Sequence, residues 1–348
     1  MSEGASLLVV VNHAAARARR AWPGVRAALD AAGVPFDAHE TRAPGDAHAR
    51  TREALRAGYR TIAAVGGDGT LSEVASGFFE DCEALPRGAL PAKTSAPRAA
   101  LALLPAGTGD DFARGLSGGR RVPLESWTAR LVAHCRTARA GEAGMTRRSD
   151  ADITRGSDAD TTRSVDVLLG ETDAGARRFV CLNAATLGIG AEVAARVGAQ
   201  GERLRRLPGE ARFALAALAA LVAWRDRSVR LRVDDGEWRE CRTNIMAVTN
   251  GTHAGGGMNL SPDARVDDGR LDVLTACNLT PTQILRELAR VHTGGHVNNP
   301  QVSCERGVRV QIETIDGGAG LGVEADGDVR GRTPAEFRVM PAALRVVW

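Results

Sequence analysis

The residues with the most chemistry in them are Gly66-Gly67-Asp68-Gly69-Thr70, between the apolar run Thr61 to Val65 and the helix-like segment Leu71-Ser72-Glu73-Val74. A strand that ends in glycines and passes into a helix leaves backbone N–H groups pointing outward, which suits a phosphate. Asp68 would repel a bare phosphate, so it points to a Mg2+-nucleotide with the cation between carboxylate and phosphate. The plainer alternative is a tight turn in which glycine supplies a positive φ. Three more clusters carry comparable chemistry: Gly107-Thr108-Gly109-Asp110-Asp111, the stretch Gly255 to Asp272, and Val323-Glu324-Ala325-Asp326-Gly327-Asp328. The carboxylates and turn carbonyls of the second stretch suit a hard cation, with a hairpin of solvated aspartates as the alternative. The last cluster, on its own, reads as a turn.

The elements that must position these residues follow from apolar patterning. Leu7-Leu8-Val9-Val10-Val11 is a buried parallel-strand run, and Arg17 to Ala32 has helical spacing of Trp22, Val25, Leu29 and Ala32 with Gly33 as its stop. Phe36 to Thr41, Asp46 to Ala57, Thr61 to Val65 and Ala99 to Leu104 continue the alternation of strand and helix. The fold expected is therefore α/β, an N-terminal doubly wound parallel sheet with ligands at the carboxyl ends of its strands, where both glycine turns fall. After Ser164 the chain breaks into short strand-like runs separated by Gly, Asp and Asn: Ser164–Leu169, Arg178–Asn183, Val229–Val233, Trp238–Arg242, Asn244–Asn250, Arg270–Ala276, Gly307–Glu313 and Ala335–Val339. These predict an antiparallel β-sandwich-like domain. Pro281 to His292 reads as a helix, as does Leu204 to Trp224 with an interruption near Pro208.

The domain plan is 1–138 as the nucleotide-binding domain, 139–163 as a polar insertion holding a near-duplicated octapeptide, and 164–348 as the β-rich substrate domain. Whether its tail returns to the first domain is left open.

Composition narrows the class. With 348 residues, 44% hydrophobic and 25% charged, the chain can build two cores. A net charge of +3 and 4% aromatics give no footing for nucleic acid. Lys93 is the only lysine and has no P-loop context, which excludes a Walker A site. The six cysteines are dispersed without a C-x-x-C pair, as expected of free thiols in a reducing cytosol. No stretch is long and apolar enough to cross a bilayer, so the expectation is a cytoplasmic protein that can lie peripherally at the inner membrane face.

Taken together the clusters resemble the bacterial diacylglycerol kinase and sphingosine kinase superfamily of soluble lipid kinases, from about Leu7 to Val347. The G-G-D-G-T turn at Gly66, the G-T-x-N-D-F-A element at Gly107 to Ala113 and the P-x-A-x-x-x-D-G-x-L element at Pro262 to Leu271 carry the resemblance, the last two more specifically. It implies ATP contacts at Asn12, Thr41, Gly66, Gly67, Asp68, Gly69, Thr70, Leu71, Ser72 and Thr108, and the second glycine turn adds Gly107 and Asp111 as candidates on the phosphates and their Mg2+. It further implies a structural Mg2+ held by Asp268 and the backbone carbonyls of Arg265 and Arg270. The proton acceptor of the D-G-E element falls on Asp328, supported by Asp326, with Asp68 completing the catalytic set. Three departures stand out: Asp328 replaces glutamate, Ser72 and Asp110 replace asparagine, and His13-Ala14 replaces the proline and glycine after Asn12.

The reaction expected is transfer of the ATP γ-phosphate to a lipid hydroxyl, diacylglycerol or a relative, at a membrane surface. The helix Phe213 to Trp224 would line an acyl cleft or pack in the core. An NAD kinase-like enzyme sharing the G-G-D-G turn and a non-catalytic ATP-binding relative are the alternatives, and a homodimer is left open.

Overall fold

Leu7–Val11 forms β1, and each of its residues is buried, as a strand covered on both faces requires. The computed structural model describes residues 6–80, 82, 89–92, 99–145, 161–200, 215–216, 219–220, 227–315, 317 and 320–348. After β1 come α1 (Ala16–Ala31), β2 (Phe36–Glu40), α2 (Asp46–Arg56), β3 (Thr61–Gly66), α3 (Asp68–Ser76), β4 (Ala100–Pro105), α4 (Asp111–Leu116) and α5 (Leu124–Met145). β2, β1, β3 and β4 pair in that order, all parallel, which brings Gly66 opposite Pro105 and sets the two glycine turns side by side. Helix α1 turns Ala18, Trp22, Val25 and Leu29 into the core, the three-to-four spacing of an amphipathic helix.

The second half contains β5 (Thr162–Thr172), a 3-10 turn (Asp173–Gly175), β6 (Arg177–Cys181), β7 (Ala184–Gly188), α6 (Ile189–Gly198), β8 (Arg227–Val233), β9 (Arg239–Thr249), β10 (His253–Ala254) and β11 (Met258–Asn259). Then follow β12 (Leu271–Cys277), α7 (Pro281–Arg290), β13 (Val302–Gly307), β14 (Arg309–Thr314), β15 (Gly322–Ala325), β16 (Asp328–Arg332) and β17 (Ala335–Val347). Antiparallel pairing runs β16-β15-β7-β9-β8-β14-β17, and Leu187, Met246, Val310, Val323 and Phe337 share a second core. The architecture is thus a parallel α/β domain followed by an antiparallel β-sandwich-like domain, as the patterning predicts.

The tail does return. β17 pairs antiparallel with β14 over Ala335–Arg338 and with β5 on both sides of a bulge, and beyond the bulge Arg345 and Val346 also pair in parallel with Ala100 and Leu101 of β4. The crossing is made at a bulge between Met340 and Leu344, where Ala342 takes a φ of 48°. Asp166 holds that bulge: its Oδ1 accepts from Ala342 N at 2.7 Å and its Oδ2 from Gly269 N at 2.7 Å.

Other boundaries differ from the patterning. Trp238–Arg242 and Asn244–Asn250 fall on the single strand β9 (Arg239–Thr249), which runs without a turn from β8, paired through Thr243, to β12 and β7, paired along its second half. Helix α6 and strand β13 have no counterpart in the patterning, and α5 continues through position 138 to Met145. Most of the octapeptide repeat, and all but four residues of 204–224, lie outside the described residues. Among the described residues no helix is long and apolar enough to cross a membrane.

Candidate active site

The site begins where β3 ends. Gly67 caps α3 with no side chain on the helix N-terminus, so the first-turn amides are left to a ligand, and Gly69 lies exposed beside them. Glycine is required here by space: a Cβ on Gly66 would sit 2.5 Å from Thr70 Oγ1, and one on Gly67 would sit 3.1 Å from Gly107 Cα. The two turns therefore touch backbone to backbone. Asn12, at the end of β1, donates from Nδ2 to Thr70 Oγ1 at 2.9 Å and fixes that threonine. Thr41 lies at the neighbouring strand end, its N–H on Val11 O at 2.9 Å. Leu71 and Ser72 are buried on the inner face of α3, whereas Thr108 is exposed at the tip of the second turn.

Two carboxylates converge across this cleft. Asp68 Oδ1 accepts from Phe112 N at 3.3 Å, and Asp111 Oδ2 accepts from Gly256 N at 2.7 Å. An ideal Cβ on Gly109 would lie 3.0 Å from Asp68 Oδ2 and 3.2 Å from Asp111 Oδ2, so the bare glycine keeps open the space between them. Asp111 Oδ1 is buried with no partner among the described residues. Burial, and secondly the charge of Asp111, push the Asp68 carboxyl up to about 7. Burial also raises Asp111 and Asp110 above the usual carboxylate range.

Arg17 and Arg121 are residues that motif reading missed. Arg17 Nη1 donates to Gly107 O at 2.9 Å, and Arg121 Nη2 donates to the Thr108 carbonyl and to Gly109 O at 3.3 Å. Both guanidinium groups thus lie on the backbone carbonyls of the second glycine turn. Their charges also offset part of the burial cost of Asp110, which accepts from Gly107 N at 2.8 Å. No spacing rule marks them in a chain whose basic residues are nearly all arginine.

The second domain supplies a hairpin. Asp326 and Gly327, with φ of 50° and 97°, form the two-residue turn between β15 and β16, as the Asp-Gly pair favours. The Asp326 carboxylate accepts from Leu182 N at 2.7 Å, Asn183 N at 3.0 Å, Ala184 N at 3.2 Å and, across the domains, Ser72 Oγ at 3.0 Å. Ser72 lies one helical turn, roughly 5 Å, beyond Asp68. Asp326 is a clamp whose lone pairs are taken, while Asp328 is exposed and meets Arg330 Nη2 at 3.1 Å. Glu324, which in sequence is only part of a turn, takes Thr186 Oγ1 at 2.6 Å and the Gly327 N–H, and burial pushes its carboxyl up to about 7.

The loop read as a Mg2+ site lies apart from this cleft, against the β17 bulge. Asp268 Oδ1 accepts from Arg270 N at 3.1 Å, while Arg265 and Arg163 pair with Asp267. Among the described residues no group of three or more potential metal-ligating side chains is clustered.

A glycine turn at a helix N-terminus on a parallel sheet, facing carboxylates and a hairpin from an antiparallel domain, is an arrangement suited to phosphoryl transfer between two domains. Residues 6–143 match the diacylglycerol kinase catalytic domain, and residues 186–348 match the YegS C-terminal NAD kinase beta sandwich-like domain. A probable lipid kinase YegS-like from Pseudomonas aeruginosa is 34% identical over 325 residues, spanning 92% of this chain and 88% of the relative. One from Pseudomonas fluorescens is 31% identical over 99% of this chain and 96% of its own. The crystal structure of a diacylglycerol kinase-like protein from Bacillus anthracis shares the fold, with a TM-score of 0.68 at 20% identity over 98% of this chain and 97% of that one. The chain belongs to the YegS-like family of lipid kinases.

Proposed function

We propose that the protein transfers the γ-phosphate of ATP to the hydroxyl of a lipid, diacylglycerol or a close relative, at a membrane surface. The observation that carries this reading is the convergence of Asp68 and Asp111 on the space beside Gly109, one helical turn from the Asp326–Ser72 contact. Two carboxylates with raised proton affinity, Asp111 buried and Asp68 half-buried, and an unpartnered Asp111 oxygen fit a divalent cation. Asp68 and Asp111 would hold Mg2+, which when bound neutralises phosphate charge. The first-turn amides of α3, with Arg17 and Arg121, bind and orient the phosphates, and the Gly255–Gly257 loop closes over them through Asp111.

Asp326 fixes the hairpin turn against α3. The Asp328 carboxylate, two residues on, takes the proton of the lipid hydroxyl as its oxygen bonds to the γ-phosphorus and the bond to the β-phosphate oxygen breaks, releasing ADP. Asp328 is a methylene shorter than glutamate, so the hydroxyl must come correspondingly closer. In this reading Asp268 with the carbonyls of Arg265 and Arg270 stands as a structural metal loop, separate from the chemistry.

Incubating the protein with a bacterial lipid extract and γ-labelled ATP tests this directly. Labelled lipid is expected. Labelled NADP from added NAD, without labelled lipid, would move the protein to the NAD kinase reading. ATP binding without any transfer would make it a regulatory relative.

A further inference from the structure

Helix α7 is built inside out. A surface helix normally turns its apolar stripe to the core, but the buried residue of α7 is Glu287, while Leu285 is 52% and Leu288 44% exposed. At about 100° per residue, Ile284, Leu288, Leu285 and Ala289 follow one another within an arc of about 140°, so they form one stripe. Ile284 is half-buried at its inner edge and Ala289 exposed at its outer edge. Polar bonds fix this orientation. Glu287 Oε1 accepts from Asn299 Nδ2 at 3.0 Å and from Arg286 and Arg290, each at 3.3 Å. At the N-terminus Thr280 N donates to Gln283 Oε1 at 2.8 Å and Gln283 N to Thr280 Oγ1 at 3.4 Å.

Charge and size decide what fits the stripe. From Asn278 to Val302 the only acid is Glu287, against Arg286, Arg290, His292 and His296. Two guanidinium groups share that one buried carboxylate, so the segment keeps a net positive charge, and the Arg286 side chain beside the stripe is 66% exposed. A second copy of the chain would bring the same cationic rim against this one. It would also find too little surface. Ten residues make a helix about 15 Å long, and a face about 10 Å wide is about 150 Å2, against about 800 Å2 per partner in a standard interface. An anionic bilayer meets both conditions, with the leucines among its acyl chains and Arg286 on its phosphates.

The face is tied to the nucleotide cleft without lining it. The 3-10 turn Val291–Thr293 that follows α7 packs on β11, and Val291 clusters with Leu260 and Leu274. β11 pairs with β10, and the tip between them is the Gly255–Gly257 loop, whose Gly256 N meets Asp111.

We propose that the Ile284–Ala289 face of α7 is the surface by which the protein docks on a bilayer containing anionic phospholipid. The proposal rests on the lipid-kinase reading, which calls for a bilayer, and adds which face meets it.

The test is flotation of the full chain with vesicles of equal parts phosphatidylglycerol and phosphatidylcholine, and with vesicles of phosphatidylcholine alone. The proteins are wild type, L285S/L288S and the control V308S/I315S. Val308 and Ile315 are 51% and 40% exposed, and Val308 follows Gly307, which pairs with Leu271 at the end of β12 far from α7. Wild type is expected on the mixed vesicles, at least tenfold more weakly bound in L285S/L288S and unchanged in V308S/I315S. Binding to phosphatidylcholine alone should be several-fold weaker. Circular dichroism of L285S/L288S should match wild type, since both leucines are exposed. Equal flotation of L285S/L288S and wild type, an equal loss in V308S/I315S, indifference to phosphatidylglycerol, or no binding at all overturns the proposal. So does a wild-type dimer in sedimentation equilibrium that L285S/L288S makes monomeric, which gives the face to a second copy. Phosphorylation of dihexanoylglycerol, soluble without vesicles, separates this site from the kinase reading and should be equal in wild type and L285S/L288S. Its absence from both, with flotation as expected, would refute the kinase reading and leave the docking face standing.

Discussion

Replacing Asp68 by asparagine makes the protein's electrostatics measurable without catalysis. In the metal-free protein the Asp68 carboxyl is pushed from 3.8 to about 7, first by burial and then by Asp111. A folded-state value above the unfolded one means that between those pH values the native protein binds the extra proton. Stability therefore falls as pH rises through that window. At about 1.36 kcal/mol per pH unit, a shift of about 3 units sets an upper bound of about 4 kcal/mol at pH 8 on what the ionised side chain costs the fold. The D68N side chain removes the charge, keeps an oxygen for the Phe112 N–H and offers Asp111 an amide donor. Urea unfolding in chelator should find D68N more stable than wild type at pH 8, with the difference falling to less than half at pH 5. Added Mg2+ should then raise the stability of wild type alone, since a ligand that binds only the folded state stabilises it by mass action. A D68N protein no more stable than wild type at pH 8, or one that keeps the Mg2+ response, would refute this account of the two carboxylates.

Other substitutions probe the remaining parts. Asp328→Asn should lower kcat by about 100-fold or more while leaving the KM for ATP unchanged, the pattern of a lost proton acceptor. Gly109→Ala places a methyl 3.0 Å from Asp68 Oδ2 and 3.2 Å from Asp111 Oδ2, so Mg2+-dependent stabilisation should disappear while the apo protein stays folded in circular dichroism. R17Q/R121Q should raise the KM for ATP by roughly tenfold, measured by steady-state assay at saturating lipid. Asp326→Ala leaves three backbone N–H groups without their acceptor and should cost about 2–4 kcal/mol in urea unfolding, with Ser72→Ala well below that.

The first domain was legible because its strands are buried on both faces and appear as unbroken apolar runs, Leu7–Val11 above all. The second is legible only in pieces. Polar Thr243 and Arg242 split β9 on paper, yet Thr243 is buried, its hydroxyl donating to Ala276 O at 3.0 Å. Pro341 looks like a strand end, but it lies at the bulge beyond which β17 joins the parallel strand β4. The glycine turns were visible as motifs, whereas their partners were not. Asp111 meets Gly256 across 145 residues of sequence and Ser72 meets Asp326 across 254, and no local pattern encodes such pairs. Arg17, Arg121 and Glu324 escaped for the same reason, since their roles come from carbonyls and N–H groups that only the folded chain brings to them.

The most direct measurement is phosphoryl transfer itself: γ-labelled ATP and Mg2+ with diacylglycerol in mixed micelles, comparing wild type, D68N and D328N. The account predicts labelled phospholipid from wild type, none above background from D68N and a trace from D328N at unchanged ATP affinity. Lipid phosphorylation by D68N at the wild-type rate would contradict it.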